Sequence, residues 1–179
     1  FLWRDNGLGL EDVVGEARTA GFGPIIIYTN GTFPLKTTAD IVFVSLDGLR
    51  QTNDRLRGPV YDRVLANIAA SAHRGITINF TVNLENQHEI EPFLREMAEN
   101  DHVRGVNFYF YTPGGAADAL ALSPTEKRAA VDCILAAKAS GLPVRNSRAA
   151  LQRFRNGDWK RPTDLCYLYA ARQMYRCCR

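Results

Sequence analysis

Four apolar segments of the sequence end in residues that can hydrogen-bond to a polar ligand. The segments, at 25–28, 41–46, 76–82 and 105–111, are rich in the β-branched and aromatic side chains of buried strands. The carboxyl ends of parallel strands meet on one face of a sheet or barrel, where ligands commonly bind. We therefore expect one pocket, and its candidate residues are Thr29, Asn30, Ser45, Asp47, Asn83 and Tyr111.

Each of these polar residues also has a simpler explanation. Ser, Thr, Asn, Asp and Gly begin loops because their side chains and backbones suit turn geometry. For one strand end taken alone, that explanation is the better one. The recurrence of such residues at four successive strand ends favours a shared pocket.

Helical segments separate the strands and would hold their ends in place. Apolar residues at helical spacing predict helices over 10–20, 59–73 and from 90 onward, and the sequence SPTE at 123–126 is a capping box that opens another. A further helix is expected near 147–156. Strands that alternate with helices indicate an α/β fold with a parallel sheet, either open or curled into a barrel.

The composition is that of an ordinary globular protein. Of the 179 residues, 46% are hydrophobic and 23% are charged, and the net charge is +3. Basic residues crowd the last third of the chain, but we interpret them as a solvated helix face and expect no nucleic-acid partner. No run approaches the roughly 18 apolar residues of a membrane span, so we expect a cytoplasmic protein.

Several motifs, in order, carry a resemblance to a known superfamily. YTNGT at 28–32 is followed by VSLDG at 44–48, TNDRLRG at 52–58 and TVNLEN at 81–86. Together with FLWRD at the start of the chain, these motifs resemble the middle of radical S-adenosylmethionine (SAM) enzymes. TNG or SLDG alone is a weak indication, whereas their order and spacing make the combination fairly specific.

The resemblance implies a parallel β/α partial barrel, an incomplete TIM-like fold, that binds SAM at the carboxyl ends of its strands. It also implies a [4Fe-4S] cluster that cleaves SAM reductively to a 5′-deoxyadenosyl radical, which abstracts hydrogen from a substrate. Carried over by position, Thr29 and Ser45 would lie by the methionine carboxylate, and Asp47 and Asn83 by the amino or ribose groups. The backbone near Tyr111 would lie along the adenine. A flavodoxin or ferredoxin would donate the electron.

Two further residues of these motifs have open roles. Asn30, in the TNG motif, is another candidate for cofactor binding. Arg57 is either the partner of a carboxylate or a surface charge that caps the helix expected at 59, and we favour the surface charge. The sequence assigns no catalytic residue and indicates no substrate.

The sequence departs from the superfamily in one important respect. It contains neither the CxxxCxxC loop that holds the cluster nor the GGEP motif. We expect a fragment that lacks the first strand or strands of the barrel and that does not cleave SAM by itself. Residues 1–160 are expected to form the truncated core, and 161–179 the start of a C-terminal extension.

The sequence has four cysteines. Cys133 lies in an apolar helical segment, and we interpret it as a core residue. Cys166, Cys177 and Cys178 have the spacing C-x10-CC, which suits a disulfide, a zinc site or an iron–sulfur cluster. The resemblance implies that these three are metal ligands at the start of a SPASM-like auxiliary-cluster region.

Two other classes of function stay open. The chain could be a non-catalytic binding or maturation domain that has a barrel and no cluster. It could also belong to a barrel lyase or isomerase that acts on a small metabolite. Against the second class, no glycine-rich phosphate turn and no strand-end lysine stand where such an enzyme would use them.

Overall fold

The computed structural model describes residues 4–5, 7–114, 118–158, 167–170 and 173–176. The chain divides into two compact units, residues 1–146 and 147–179. The domain boundary expected at 160 stays a prediction, because 159–166 lie outside the described residues. None of the helices in the described ranges is long and apolar enough to cross a membrane.

The first unit alternates strands with helices, as predicted. A short antiparallel pair near its start is followed by the main α/β elements. These elements are β1 (Arg4–Asp5), β2 (Leu8–Gly9), α1 (Leu10–Thr19), β3 (Ile26–Thr29), β4 (Ile41–Ser45), α2 (Arg50–Arg57), α3 (Tyr61–Ala69), β5 (Ile76–Val82), a 3₁₀ turn (Gln87–Glu89), α4 (Ile90–Ala98), β6 (Val106–Phe110) and α5 (Pro124–Ala139).

Strands β3, β4, β5 and β6 form one parallel sheet in that order. Beyond β6, Val144 forms a single parallel bridge with Val106. Asn146 continues this edge, because its side-chain amide accepts from the Phe108 N–H at 2.8 Å and donates to the Phe108 carbonyl at 2.9 Å. The predicted parallel α/β architecture is confirmed, and closure into a barrel stays a prediction.

One face of the sheet packs against helices. Val42, Val44 and the even-numbered residues of β5 are fully buried. At the centre of this face, the Phe80 ring lies edge-on to Phe93 of α4, with ring centroids 5.1 Å apart. Each side chain of this size contributes about 1.5–3 kcal/mol when it leaves water, so this face contains the core that fixes the positions of the strands.

The helix predicted over 59–73 is shorter in the structure, and another helix precedes it. Helix α3 covers Tyr61–Ala69, and α2 covers Arg50–Arg57. Gly58, with φ of 84°, separates the two. Helix α2 has no apolar stripe, since its buried residues are Thr52 and Asn53, and hydrophobic periodicity therefore gave no indication of it.

The capping residues in the sequence correctly predicted where helix α5 begins. The Ser123 hydroxyl accepts from the Glu126 N–H at 3.2 Å, and the Glu126 carboxylate accepts from the Ser123 N–H at 2.8 Å. This is the capping box read from the sequence.

The second unit contains α6 (Arg148–Asn156) and an antiparallel pair of strands, β7 (Tyr167–Ala170) and β8 (Gln173–Arg176). The Ser147 hydroxyl caps α6 by accepting from the Ala150 N–H at 3.1 Å. The two strands expose several aromatic side chains, among them Tyr169 at 68%.

Candidate functional site

The four predicted strand ends lie along one edge of the sheet. Because β3 to β6 are parallel and consecutive, Thr29, Ser45, Val82 and Phe110, the last residues of the strands, share the carboxyl edge. The turns that leave this edge hold the other candidate residues. The structure thus brings the candidates to one side of the molecule, and their bonding differs from one turn to the next.

The first turn uses the side chains of Thr29 and Asn30 to fix its own backbone. The Thr29 hydroxyl accepts from the Gly31 N–H at 3.2 Å. The Asn30 carbonyl oxygen accepts from the N–H and the hydroxyl of Thr32, at 3.2 and 2.9 Å. Asn67 of α3 donates to the Gly31 carbonyl at 2.8 Å and ties the turn to the fold. These contacts are those of turn formers.

Gly31 lets this turn approach the core closely. Its φ is 72°, and a Cβ placed on it would lie 2.7 Å from Val44 and 2.9 Å from Val64. No other residue type fits there without displacing the core, which explains the glycine of the TNG motif.

Asp47 is the most fully bonded of the candidates. It is 6% exposed, and one carboxylate oxygen accepts from the Thr81 N–H at 2.7 Å while the other accepts from Arg57 Nε at 2.6 Å. Its N–H donates to Asn53 at 3.0 Å. Both carboxylate oxygens therefore have partners within the protein.

The interpretation of Arg57 as a surface charge that caps the next helix is wrong. Its side chain is 29% exposed and forms an ion pair with Asp47. Arg57 is the last residue of α2, so the pair joins the SLDG turn to the end of the RG segment. An arginine in this position neutralises a buried carboxylate that would otherwise be costly.

The third turn is built by two asparagines. Asn86 is fully buried, and its side-chain amide donates to the carbonyls of Asp47 and Thr81 at 3.0 and 2.9 Å. Its oxygen accepts from the Asn83 N–H at 2.7 Å. Asn83 in turn accepts from the Glu85 N–H at 2.9 Å and donates to the Thr81 carbonyl at 3.3 Å. The second and third turns are thereby held together.

Glu89 bonds to the residues that follow Asp47, and Gly48 allows it to approach them closely. One Glu89 oxygen accepts from the Leu49 N–H at 2.8 Å, and the other accepts from the Thr52 hydroxyl at 2.7 Å. Gly48 has φ of 140°, and a Cβ there would lie 2.5 Å from the Glu89 carboxylate. The glycine of SLDG is required by this approach.

Tyr111 begins the fourth turn. Its N–H donates to the Val82 carbonyl at 2.9 Å, which extends the sheet by one hydrogen bond, and its hydroxyl donates to Asp118 at 2.8 Å. The hydrogen bond to Asp118 raises the pKa of Tyr111. Hydrogen bonds to the Asp118 carboxylate lower its pKa. The largest effect comes from the Leu120 N–H, and smaller ones come from the Tyr111 hydroxyl and the Gly114 N–H.

A row of polar side chains crosses the sheet on the face opposite the core, and of its members only Ser45 was a predicted candidate. Ser45, Asn79 and Asn107 are register partners on β4, β5 and β6. The Asn79 side-chain oxygen is buried and has no hydrogen-bond partner among the described residues. Such a group normally finds a partner, so the Asn79 oxygen can accept a hydrogen bond from a donor outside the described residues.

The sequence of β5 does indicate that one face of this strand is polar. Strands of a parallel sheet that are buried on both faces are usually apolar throughout, whereas β5 alternates Ile76, Ile78 and Phe80 with Thr77, Asn79 and Thr81. That alternation indicates one polar face. It does not indicate which residues of the neighbouring strands align with Asn79, because register depends on tertiary packing.

We call the set that shares this side of the sheet the polar face; it comprises Tyr28, Phe43, Ser45, Thr77, Asn79, Thr81, Asn107 and Tyr109. Two tyrosines on the outer strands of the four-stranded sheet meet across this face. The hydroxyls of Tyr28 on β3 and Tyr109 on β6 lie 3.2 Å apart. Tyr28 also stacks on Phe43, with ring centroids 4.8 Å apart. Partial burial, together with the Tyr109 hydroxyl, raises the pKa of Tyr28. The face thus offers both amide groups and flat aromatic surface.

The predicted metal ligands Cys166, Cys177 and Cys178 lie outside the described residues. Within the described ranges, no group of three or more His, Cys, Asp or Glu side chains could hold a metal ion. Cys133 is a free, half-buried thiol, and burial raises its pKa. Cys133 is thus less buried than the core position predicted for it, and its raised pKa suits an unreactive, structural thiol.

No protein-family model matches the chain. The chain is 32% identical over 141 residues to Fe-coproporphyrin III synthase of Methanosarcina barkeri (strain Fusaro / DSM 804), a radical SAM enzyme. The match includes 70% of this chain and 35% of that protein, so the chain spans about a third of the length of this relative. Most of the chain is therefore similar in sequence to a radical SAM enzyme, which supports the superfamily resemblance carried by its TNG and SLDG motifs.

Proposed function

We propose that this chain is part of a radical SAM enzyme and that its carboxyl edge and polar face form the binding pocket for SAM. The observation that carries the proposal is the polar row on the face opposite the core, because its middle residue, Asn79, has a buried side-chain oxygen with no hydrogen-bond partner among the residues that the structure describes. The sequence similarity to a radical SAM enzyme supports the choice of ligand. In the full-length protein we propose a partial β/α barrel, to which these four strands contribute.

The residues present fit SAM. This ligand carries hydrogen-bond donors on its ammonium group, its ribose and its adenine amine, and the Asn79 oxygen has no donor within the described part of the chain. Its adenine ring can pack on the aromatic surface of Tyr28 and Phe43. When bound beside its iron–sulfur cluster, SAM would supply a carbon radical that takes a hydrogen atom from a substrate.

The proposal gives the predicted residues two kinds of role. Ser45, Asn79 and Asn107 would contact the ligand directly, together with the backbone near Tyr111. Asp47 and Asn83 already bond within the protein, so they would shape the pocket by holding the turns. Thr29 and Asn30 would place the backbone of the first turn in the same way.

The remaining parts of the proposal concern groups outside this pocket. The cluster that acts on SAM would be held elsewhere in the full-length protein, since the described residues contain no ligand set for it. Cys166, Cys177 and Cys178 would belong to an auxiliary cluster, and a flavodoxin or ferredoxin would donate electrons.

Calorimetric titration of the chain with SAM tests the proposed pocket. We expect Ser45→Ala to weaken SAM binding by roughly twofold to tenfold, which corresponds to the loss of one hydrogen bond. Ser140→Ala is the matched control, because Ser140 is exposed at the end of α5 and bonds there to the Ala137 carbonyl. Equal SAM affinity of both variants and the parent, or no binding by the parent, would refute the pocket.

A further inference from the structure

Three arginines surround a cavity at the opposite edge of the sheet, where the strands begin. Arg74, Arg104 and Arg145 line a cavity of about 390 Å³. The other lining residues are Asp40, Ile41, His73, Gly75 and Thr77. This amino-edge cavity is within the size range of small-molecule sites, and no part of the proposed SAM pocket uses its arginines.

The backbone around the cavity places the arginines close together. Arg104 Nε donates to the Arg74 carbonyl at 2.5 Å, and the Arg104 N–H donates to the Ile76 carbonyl at 2.8 Å. The Arg145 N–H donates to the Val106 carbonyl at 2.8 Å. A Cβ built on Gly105, whose φ is 137°, would lie 3.0–3.1 Å from the Arg145 side-chain carbons. The stem of Arg145 therefore lies over Gly105, directly beside Arg104.

The carboxylate that lines the cavity already has partners. Asp40 accepts from the Ile25 N–H at 2.7 Å and from Arg18 at 3.1 Å. The Ile25 N–H and Arg18 lower the pKa of Asp40, so it stays charged but is neutralised by Arg18. Arg74 and Arg145 form no ion pair with any residue that the structure describes. The cavity therefore has an excess of positive charge.

His73 has a structural role. Its Nδ1 accepts from the Gly75 N–H at 3.0 Å, so its Nε2 carries the hydrogen that bonds to the Ala39 carbonyl at 2.8 Å. Both ring nitrogens are thus occupied, and the imidazole holds the loop before β5 against the loop before β4. Thr77 is an uncharged residue of the cavity wall.

We propose that the amino-edge cavity binds a small molecule through a phosphate or carboxylate group. Guanidinium groups bind such anions through paired hydrogen bonds, and three of them line one cavity of suitable size. Strand β5 separates the two edges by roughly 20 Å, at about 3.3 Å per residue. Thr77 belongs to both the polar face and the cavity wall. The arginines that would bind the anion are not among the residues proposed to contact SAM, so the anion site can fail or succeed independently of that pocket.

Calorimetry with inorganic phosphate and with succinate, at constant ionic strength adjusted with chloride, tests the proposal. Arg145→Gln and Arg74→Gln should each weaken binding of the anion about tenfold. Arg104 is left unchanged because it bonds to the backbone. Arg63→Gln, on the exposed side of α3, is the matched control and should bind as the parent does.

The outcomes separate cleanly. Binding of phosphate alone or of succinate alone, lost in Arg145→Gln and retained in Arg63→Gln, supports the site and identifies the group it takes. Binding of neither anion, or equal affinities in all variants, overturns it. A thermal unfolding curve of each variant shows that the fold is kept, and SAM titration of Arg145→Gln should match the parent because Arg145 is not among the residues proposed to contact SAM.

Discussion

Replacing Asn79 with leucine should raise the stability of this protein while weakening its binding of SAM. The Asn79 oxygen is buried and has no partner among the described residues, and the residue lies at the centre of β5 between Ser45 and Asn107. Leucine has a similar size but no polar atom. The substitution therefore removes an unsatisfied group from the fold and, on our proposal, a ligand contact.

The expected magnitudes follow from the cost of an unsatisfied group. A buried acceptor without a donor costs about 1–3 kcal/mol, and we expect Asn79→Leu to recover about 1–2 kcal/mol of the free energy of unfolding. For a chain of this length that corresponds to a rise in Tm of roughly 2–8 °C. Loss of one ligand hydrogen bond should weaken SAM binding about tenfold.

Two measurements on one variant check this reasoning. Urea unfolding gives the change in stability, and calorimetry gives the change in SAM affinity. Asn156→Leu, exposed in α6, is the control and should change stability by less than about 0.5 kcal/mol. If Asn79→Leu lowers stability by more than about 1 kcal/mol, the amide has a structural partner and the reasoning from its unsatisfied oxygen fails.

Three other changes probe the turns at the carboxyl edge. Gly48→Ala should destabilise the fold by about 1–3 kcal/mol in urea unfolding, because its φ of 140° is strained for alanine and a carboxylate lies where the methyl group would go. Arg57→Ala should cost about 2 kcal/mol, since it leaves the 6% exposed Asp47 without its cation. Asp118→Asn should bring the pKa of Tyr111 back toward its ordinary value, as followed by ultraviolet absorbance in alkali. Because the pKa of Asp118 is lowered in the fold, its contribution to stability is present above about pH 4 and is lost as the pH falls further. The parent protein should therefore lose this contribution to its free energy of unfolding as the pH falls below about 4, and Asp118→Asn should not.

Neighbouring residues provide matched controls for these variants. Gly114→Ala should be nearly neutral, because no atom that the structure describes, apart from those of its chain neighbours, lies within 4 Å of the added methyl group. Arg55→Ala removes an exposed pair with Glu85 on the same helix as Arg57 and should cost less than about 1 kcal/mol. If Arg55→Ala and Arg57→Ala cost the same, the pair with Asp47 has no special role.

The sequence was most informative where structure depends on local chemistry. Strands β3 to β6 were predicted within one or two residues, because runs of β-branched residues bounded by turn formers are a local signal. The capping box at Ser123 is equally local. Helix α2 was missed because its buried residues, Thr52 and Asn53, are polar.

The candidate site was predictable only in outline. Polar strand ends at one edge follow from the parallel topology. Their bonding does not, because Asp47 and Arg57 meet only once α2 is placed. Asn79 is one of the polar residues that alternate with apolar residues in the sequence of β5. Its alignment with Ser45 and Asn107, however, depends on the register of three strands. Tertiary contacts, rather than any sequence motif, decide which of these groups bond within the protein and which do not.

The most direct test of the account uses the full-length enzyme to which we propose this chain belongs, reconstituted without oxygen and supplied with a reductant and SAM. Iron, acid-labile sulfide and 5′-deoxyadenosine are measured together. The account predicts about four irons or more per chain and formation of 5′-deoxyadenosine. Absence of both iron and 5′-deoxyadenosine would contradict it, and SAM bound without cleavage would favour a non-catalytic binding domain.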